Sequence, residues 1–458
     1  MKNLIFTTLL IPLLFIGCTG SSSDNAPWVS LFNGKDLTGW EQKGGVARYT
    51  IEDGAIVGTT VPASPNTFLC TKEKYGDFIL EFDVKLDGPI NSGVQFRSNN
   101  FKEYDHGRVH GYQCELDPSD RSWTGGIYDE ARRGWLYPLN EDEKARAAYK
   151  HLEWNKIRIE AIGDSMKIWV NDIPTAHLID DRTPSGYIAL QVHSISVPEE
   201  DNKHIMWRNI RIITDNPANY ATPTPLAPKN NYNRLTGSEA SWEWKLLWDG
   251  QSTTGWRGAK SDTFPLSQTP GTGWEIKDGM LIINGSDGGE SSNAGDIVTT
   301  EVYGDFELYV DFKISEGANS GIKYFVDTEL NKKEGSAIGL EYQILDDATH
   351  PDAQLGAQEG SRTMGSLYDL IKAENKTVYP IGVWNHAGIL SNGNHVEHWL
   401  NGRKILEYDR NTPEFQQLVD ASKYNVWPGF GTLEKGHILL QDHGHTVYFR
   451  NLIIRSNN

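Results

Sequence analysis

The chain has 458 residues, 38% of them hydrophobic, and carries a formal net charge of −18. That length and apolar content are enough for two or three domains with cores of their own, which excludes disorder as the default. The acidic balance excludes a nucleic-acid partner, whose phosphates are bound by clustered Lys and Arg. Richness in Gly, Trp, Tyr and Asn, with few helix-forming runs, predicts an all-β architecture of short strands.

The first segment, with Lys2, an apolar run from Leu4 to Ile16 and then Gly17-Cys18, has the layout of a bacterial signal peptide. Its apolar run is too short to span a bilayer comfortably. Phe15-Ile16-Gly17-Cys18 resembles a lipobox, so Cys18 is the expected lipidation site, followed by a Ser21-Ser22-Ser23 tether. The protein is therefore expected as an exported lipoprotein of the outer membrane, periplasm or cell surface, touching the membrane only through its anchor. Cys70 and Cys114 would meet an oxidising compartment, but the apolar strand position of Cys114 favours a buried thiol.

Further along, long segments recur in the same order. Leu31-Phe-Asn-Gly-Lys-Asp-Leu-Thr-Gly-Trp40 returns as Leu247-Trp-Asp-Gly-Gln-Ser-Thr-Thr-Gly-Trp256, and Tyr49-Thr-Ile-Glu-Asp-Gly54 as Trp274-Glu-Ile-Lys-Asp-Gly279. Tyr75-Gly-Asp-Phe78 with Asn91-Ser-Gly93 returns as Tyr303-Gly-Asp-Phe306 with Asn319-Ser-Gly321. Glu153-Trp-Asn155 and Ile168-Trp-Val-Asn171 match Val383-Trp-Asn385 and His398-Trp-Leu-Asn401, and Trp207-Arg-Asn-Ile210 matches Phe449-Arg-Asn-Leu452. The chain thus divides into a signal peptide at 1–17, a tether at 18–27, a first domain at 28–215, a Pro-rich linker at 216–239 and a second domain at 240–458. Ala221-Thr-Pro-Thr-Pro-Leu-Ala-Pro228 predicts an extended, fairly stiff linker. Helix is predicted only at 141–149 and 413–422, where acidic first turns precede helix formers.

Strand alternation separates core from non-core positions. In Val94-Gln-Phe-Arg97, Tyr112-Gln-Cys-Glu-Leu116 and Ile188-Ala-Leu-Gln-Val-His193, one phase is apolar and the other collects Gln95, Arg97, Gln113, Glu115, Gln191 and His193. The second copy leaves Lys323, Glu341, Gln343, Gln441 and His443 on the same side. A solvated outer face is the plain explanation. Planar amides, His and Arg flanked by aromatic rings instead suit a sugar-binding groove. The rings are Tyr128, Trp135 and Trp169 beside Arg132 and Arg133, with Tyr368 and Trp399 in the second copy.

Asp442-His-Gly-His445 places His443 and His445 on one strand face, where Glu341 or Glu397 would be a third ligand for a divalent metal ion. The first copy has His193-Ser-Ile195 there and keeps only the first histidine. His398 falls on the apolar phase and reads as a satisfied core histidine.

Several segments, among them Tyr112-Gln-Cys-Glu-Leu-Asp117, Gly126-Ile-Tyr-Asp129, Arg132-Arg-Gly-Trp-Leu-Tyr-Pro138, Leu190-Gln-Val-His193, Gly365-Ser-Leu-Tyr-Asp-Leu370 and Gly436-His-Ile-Leu-Leu-Gln-Asp-His-Gly444, closely resemble the 3-keto-disaccharide hydrolase domain family. The resemblance covers both copies. It implies tandem concanavalin A-like jelly-roll sandwiches of the kind carried by sugar-processing lipoproteins of Bacteroidota, acting on glycosides already oxidised at C3. It further implies divalent-cation use, better matched by the second copy, and adds Asp129 and Asp369 to the substrate-binding positions.

A C3 ketone acidifies the C2 hydrogen, so a base can remove it and the C1 substituent can leave by β-elimination; a positioned base contributes about 10²–10⁴-fold. His193 or Glu115 is the expected base with Arg97 steadying charge, and His443, Glu341 and Lys323 are expected in those roles in the second copy. Water adding to the unsaturated sugar would complete a net hydrolysis. Two other readings stand beside it. One is a non-catalytic sugar-binding lipoprotein, since fold does not fix function. The other is a conventional glycosidase, which needs two acids facing each other about 5–10 Å apart, whereas Glu115 and Asp117 are neighbours on one strand.

Overall fold

The computed structural model describes residues 26–286, 289–291, 293–332 and 335–456; the signal segment and Cys18 lie outside them. Each copy is a two-sheet antiparallel jelly-roll sandwich. The apolar strand phase is the core: Val94, Phe96, Tyr112, Cys114, Leu116, Ile188, Leu190 and Val192 all belong to one buried cluster of the first copy. Full burial of each such side chain contributes about 1.5–3 kcal/mol.

In the first copy the back sheet runs in the order Ile173–Ile179, Ser165–Val170, Asn155–Ile162, Phe78–Leu86, His204–Ile213, Ala55–Thr59, Arg48–Glu52, with Val29–Ser30 added beside His204–Ile213. The second copy repeats that order from Arg403–Asp409 to Trp274–Lys277. The facing sheets differ. The first copy has seven strands, Gly134–Tyr137, Ile127–Glu130, His110–Leu116, Ser92–Asn99, Tyr187–Val192, Thr67–Thr71 and Trp40–Gly44. Among the described residues the second has five, Ile338–Leu345, Asn319–Asp327, His437–Leu440, Ile297–Thr299 and Trp256–Gly258, without the hairpin that ends the first.

Most repeated motifs hold the fold. Trp40 donates its indole N–H to the Leu31 carbonyl at 2.8 Å, as Trp256 does to Leu247. Asn171, at φ 48°, donates to Asn155 and accepts from the Lys156 N–H; Asn401, at φ 51°, does the same with Asn385 and His386. Asn209 and Asn451, at φ 53° and 50°, form matching bulges and donate to Asp83 and Asp311. Asn tolerates this left-handed backbone better than other non-Gly residues, which fits its place in the repeat.

The predicted helices are shorter than their sequence windows. Glu143–Arg146 starts from Asp142, whose side chain accepts from the Ala145 N–H, and Pro413–Ala421 starts from Thr412, which accepts from Phe415. Cys70 and Cys114 are both free and buried. They point to opposite faces of one sheet, Cys114 into the main core and Cys70 into a small cluster with Phe68, Val109 and Ala189. Burial pushes the Cys70 thiol up to about 12, leaving it unreactive at neutral pH.

The linker is pinned rather than free-running. Arg158 and Glu160 bind the backbone of Tyr220 and Thr222, Lys229 bridges Leu178, and Asn233 exchanges hydrogen bonds with Asn451. It ends in the helix Gly237–Ser241, closed by a Thr236–Glu239 capping box.

Candidate active site

A groove of about 1030 Å³ lies on the seven-stranded sheet of the first copy. Its floor comes from the polar strand phase. Gly93 pairs with Glu115 on one side and Gln191 on the other, and a Cβ at Gly93 would lie 2.3 Å from Gln113 Cδ. The missing side chain lets Gln113 lie across the strand, donating to Glu115 Oε2 at 2.9 Å and reaching Gln191 Oε1 at 3.4 Å. Gln95 contacts Gln113 from behind and accepts from Ser98. The Gln191 side-chain nitrogen is buried without a partner. A buried, unmade hydrogen bond costs about 1–3 kcal/mol.

Glu115 is the distinctive group. It is 5% exposed, and burial pushes its carboxyl up to about 7 against the opposing hydrogen bonds from Asn91 (2.7 Å) and Gln113. Both oxygens accept from amides, which suits the carboxylate form. His193, half-buried at the groove wall, has Nδ1 2.6 Å from the Ser194 carbonyl. Nδ1 is therefore the donor there, leaving Nε2 for proton exchange. Tyr128 and Trp135 meet edge-to-face at 5.2 Å along the wall, with Arg121 5.0 Å over Trp135.

Sequence reasoning missed Arg108, Glu130, Asn66, Asn91 and Arg121, which also line the groove. Glu130 was readable, because it shares the phase of Tyr128. Arg108 and Asn66 lie outside the strands and offer no periodic signal. Arg108 pairs with Glu130 at 2.9 Å, and Asn66 donates to Glu130 while accepting from the Ser194 N–H.

Five expected first-copy residues lie elsewhere. Arg97 has φ 49° at a register shift, so it leaves the strand alternation; it is 1% exposed and donates to the Gly76 and Gly163 carbonyls and to Asp77. Asp129 shares the phase of Ile127, points away from the groove and holds Arg132 and Arg133. Those two arginines line a cleft between the copies. Trp169 is buried on the back sheet.

In the second copy, register corrects the expected roles. Gly321 pairs with Gln343 and Lys323 with Glu341, so Gln343 stands where the first copy has Glu115, Glu341 where it has Gln113, and Lys323 where it has Gln95. Acid and amide have exchanged places. Lys323 binds Ser336 and lies 3.6 Å from Glu341 and 3.8 Å from Glu290. Burial opposes its charge, but Glu341, Asp296 and Glu290 hold the ammonium above the ordinary lysine value. Burial pushes the Glu341 carboxyl up despite Lys323. Gln343 donates to Asn319, Gln441 donates to Glu290, and His443 Nε2 is 3.5 Å from Asn319 Nδ2.

Tyr368 donates to Asp352 beneath Lys423, and Asp369 is buried against Arg362, so neither offers a free polar group. Trp399 lies on the back sheet facing the inter-copy cleft. His398 is a satisfied core residue between Tyr324 and the Gly365 carbonyl, and burial lowers it to about 4.

The expected metal donors do not converge among the described residues: the His443 and His445 ring centroids are 6.2 Å apart, and Glu341 turns to Lys323. Among the described residues, three such donors converge only at His395, Glu397 and Glu407, on the back sheet, where Lys404 bridges both carboxylates.

A family model described as the 3-keto-alpha-glucoside-1,2-lyase-like domain matches residues 27–213 and again 243–455. A curated 3-keto-disaccharide hydrolase of Bacteroides thetaiotaomicron is 36% identical over 229 residues, covering 46% of this chain and 77% of that protein. A solved Parabacteroides distasonis protein, provisionally named a glycosyl hydrolase, is 30% identical and covers 50% of this chain and 100% of its own, with a TM-score of 0.42. A carbohydrate-binding module of Bacillus subtilis is 19% identical, covers 38% of this chain and 93% of its own, and has a TM-score of 0.26. The chain belongs to the 3-keto-alpha-glucoside-1,2-lyase-like domain family and carries that domain twice.

Proposed function

We propose that this protein cleaves glycosides oxidised at C3, and that the first-copy groove performs the elimination. The observation that carries the reading is Glu115, a groove carboxylate whose burial brings its basicity to about 7. Such a group is matched to removing the acidified C2 proton near neutral pH. The C2–H electrons form the enolate, its collapse makes the C1–C2 double bond, and the C1–O bond to the leaving sugar breaks. His193, protonated at Nε2, returns a proton to the departing oxygen. Arg108 and Arg121 supply the cationic groups that Arg97 does not, Tyr128 and Trp135 bind the apolar sugar face, and Gln113 binds a hydroxyl.

Water addition to the unsaturated sugar, completing a net hydrolysis, belongs in this proposal to the second copy, where His443 and Glu341 occupy a differently charged floor. Export on a lipid anchor at Cys18 is part of the same reading. The test is incubation with a 3-keto-glucoside disaccharide and with its unoxidised parent. Wild type should consume only the keto sugar, His193→Ala should stop consumption, and His443→Ala should accumulate the unsaturated intermediate. Turnover of the parent alone, or full activity in both variants, overturns it.

A further inference from the structure

The back sheet of the second copy carries a feature that its counterpart leaves open to solvent. In the first copy Arg208 stacks on Trp154 at 3.9 Å and is 40% exposed. In the second, Arg450 stacks on Trp384 at 4.0 Å but is 8% exposed, covered by Tyr232 at 3.7 Å and paired with Asp181 of the first copy at 2.6 Å. The linker and first copy therefore dock on this face, and beside the contact a cavity of about 270 Å³ remains. Tyr104 comes from the first copy, and Trp242, Trp244, Tyr309, Tyr379 and Trp399 from the second.

This lining is not simple packing. Trp242 is 44% exposed at the rim. His386 is 4% exposed and lines the cavity; its Nδ1 is held by Asp311 at 2.6 Å, while Nε2 is buried without a partner. Four of the five arginines in the lining are already paired with carboxylates: Arg132 with Asp129, Arg133 with Asp129 and Asp180, Arg182 with Asp311 at 3.5 Å, and Arg455 with Glu307 at 2.5 Å; Arg234 is the fifth.

We infer that this cleft is a second saccharide-binding site, separate from the groove and formed only by the tandem arrangement, with neutral sugars as its ligands. Aromatic walls take the apolar faces of sugar rings, and the unpartnered His386 nitrogen takes a hydroxyl. Four of the five lining arginines are already engaged by carboxylates, which favours a neutral sugar over an acidic one. The volume sits near the low end of small-ligand pockets, about 300–1,000 Å³.

The test is calorimetric titration of the full chain with maltose and with cellobiose, in a Trp135→Ala background that disables the groove. At least one disaccharide should bind. Trp242→Ala, a rim change that leaves the fold intact, should weaken it about tenfold, and His386→Gln should weaken it further in protein whose circular dichroism is unchanged. Absence of binding by both sugars, affinity indifferent to Trp242→Ala, or binding of glucuronic acid in preference to both disaccharides overturns the inference. Groove activity is read separately with the keto substrate, so failure here and failure of the groove reading are distinguishable.

Discussion

Glu115 and Arg97 share a strand phase in sequence and have opposite fates in the fold. Glu115 sits in the groove with its carboxyl raised from an ordinary value of 4.5 to about 7. A raised carboxyl contributes stability below the unfolded value and loses it as pH rises through about 7, so ionised Glu115 costs roughly 3 kcal/mol. Glu115→Gln should therefore raise the melting temperature at pH 8 while lowering kcat about 10²-fold or more. The second copy already accommodates Gln343 at the matching place, hydrogen-bonded to Asn319. As the carboxylate is the working base, kcat/KM of the wild type should rise with pH through about 7, and a profile flat from pH 5.5 to 8.5 would remove Glu115 from that role. Arg97 makes the opposite case. Arg97→Ala should destabilise by about 2–5 kcal/mol in thermal unfolding, since it empties the space of a fully buried side chain and removes its bonds to the Gly76 and Gly163 carbonyls, yet leave kcat/KM of the folded protein within about threefold.

At the scale of elements, the two copies solve one packing problem differently. The first places a guanidinium at Arg97 to bind the Gly163 carbonyl. The second has Phe325 there, at φ 51°, and brings Arg410, just past the end of Arg403–Asp409, to stack on it at 3.7 Å and donate to the matching Gly393 carbonyl. Gly93 is a sharper lever on function. Gly93→Ala would push a Cβ into Gln113, displacing the amide that bridges Glu115 and Gln191. Its expected effect is a loss of about 10²-fold in kcat, the scale of a misplaced catalytic group. A melting temperature lowered by only a few degrees would show that the site, not the sheet, is what fails. The hairpin of Ile127–Glu130 and Gly134–Tyr137 also has no strand counterpart among the described residues of the second copy. It brings Tyr128, Glu130 and Trp135 to the groove, which makes the first copy's site open and aromatic where the second's is charged and covered by Lys423 and Tyr424.

For the whole molecule, the copies are joined by more than a spacer. Arg450 with Asp181, Arg182 with Asp311 and Arg403 with Glu103 cross between them, and the linker is hydrogen-bonded to both. The chain should unfold in one calorimetric transition, and Asp181→Ala combined with Arg403→Ala should separate it into two while preserving groove activity. A single unchanged transition in that variant would place the coupling elsewhere.

The duplication, the all-β class, the inward and outward phases and the presence of Gln113, Glu115 and His193 along the groove were all legible in sequence, because repeats and a two-residue period are properties of the chain itself. What sequence could not carry was anything that breaks the period or joins distant segments. The left-handed backbone at Arg97 removed it from the groove. Arg108 and Asn66 arrive from outside the strands, and Arg132, Arg133 and Trp399 meet only where the copies dock. Burial, which depends on every neighbouring layer at once, gave Glu115 its basicity; only the tertiary structure could decide that.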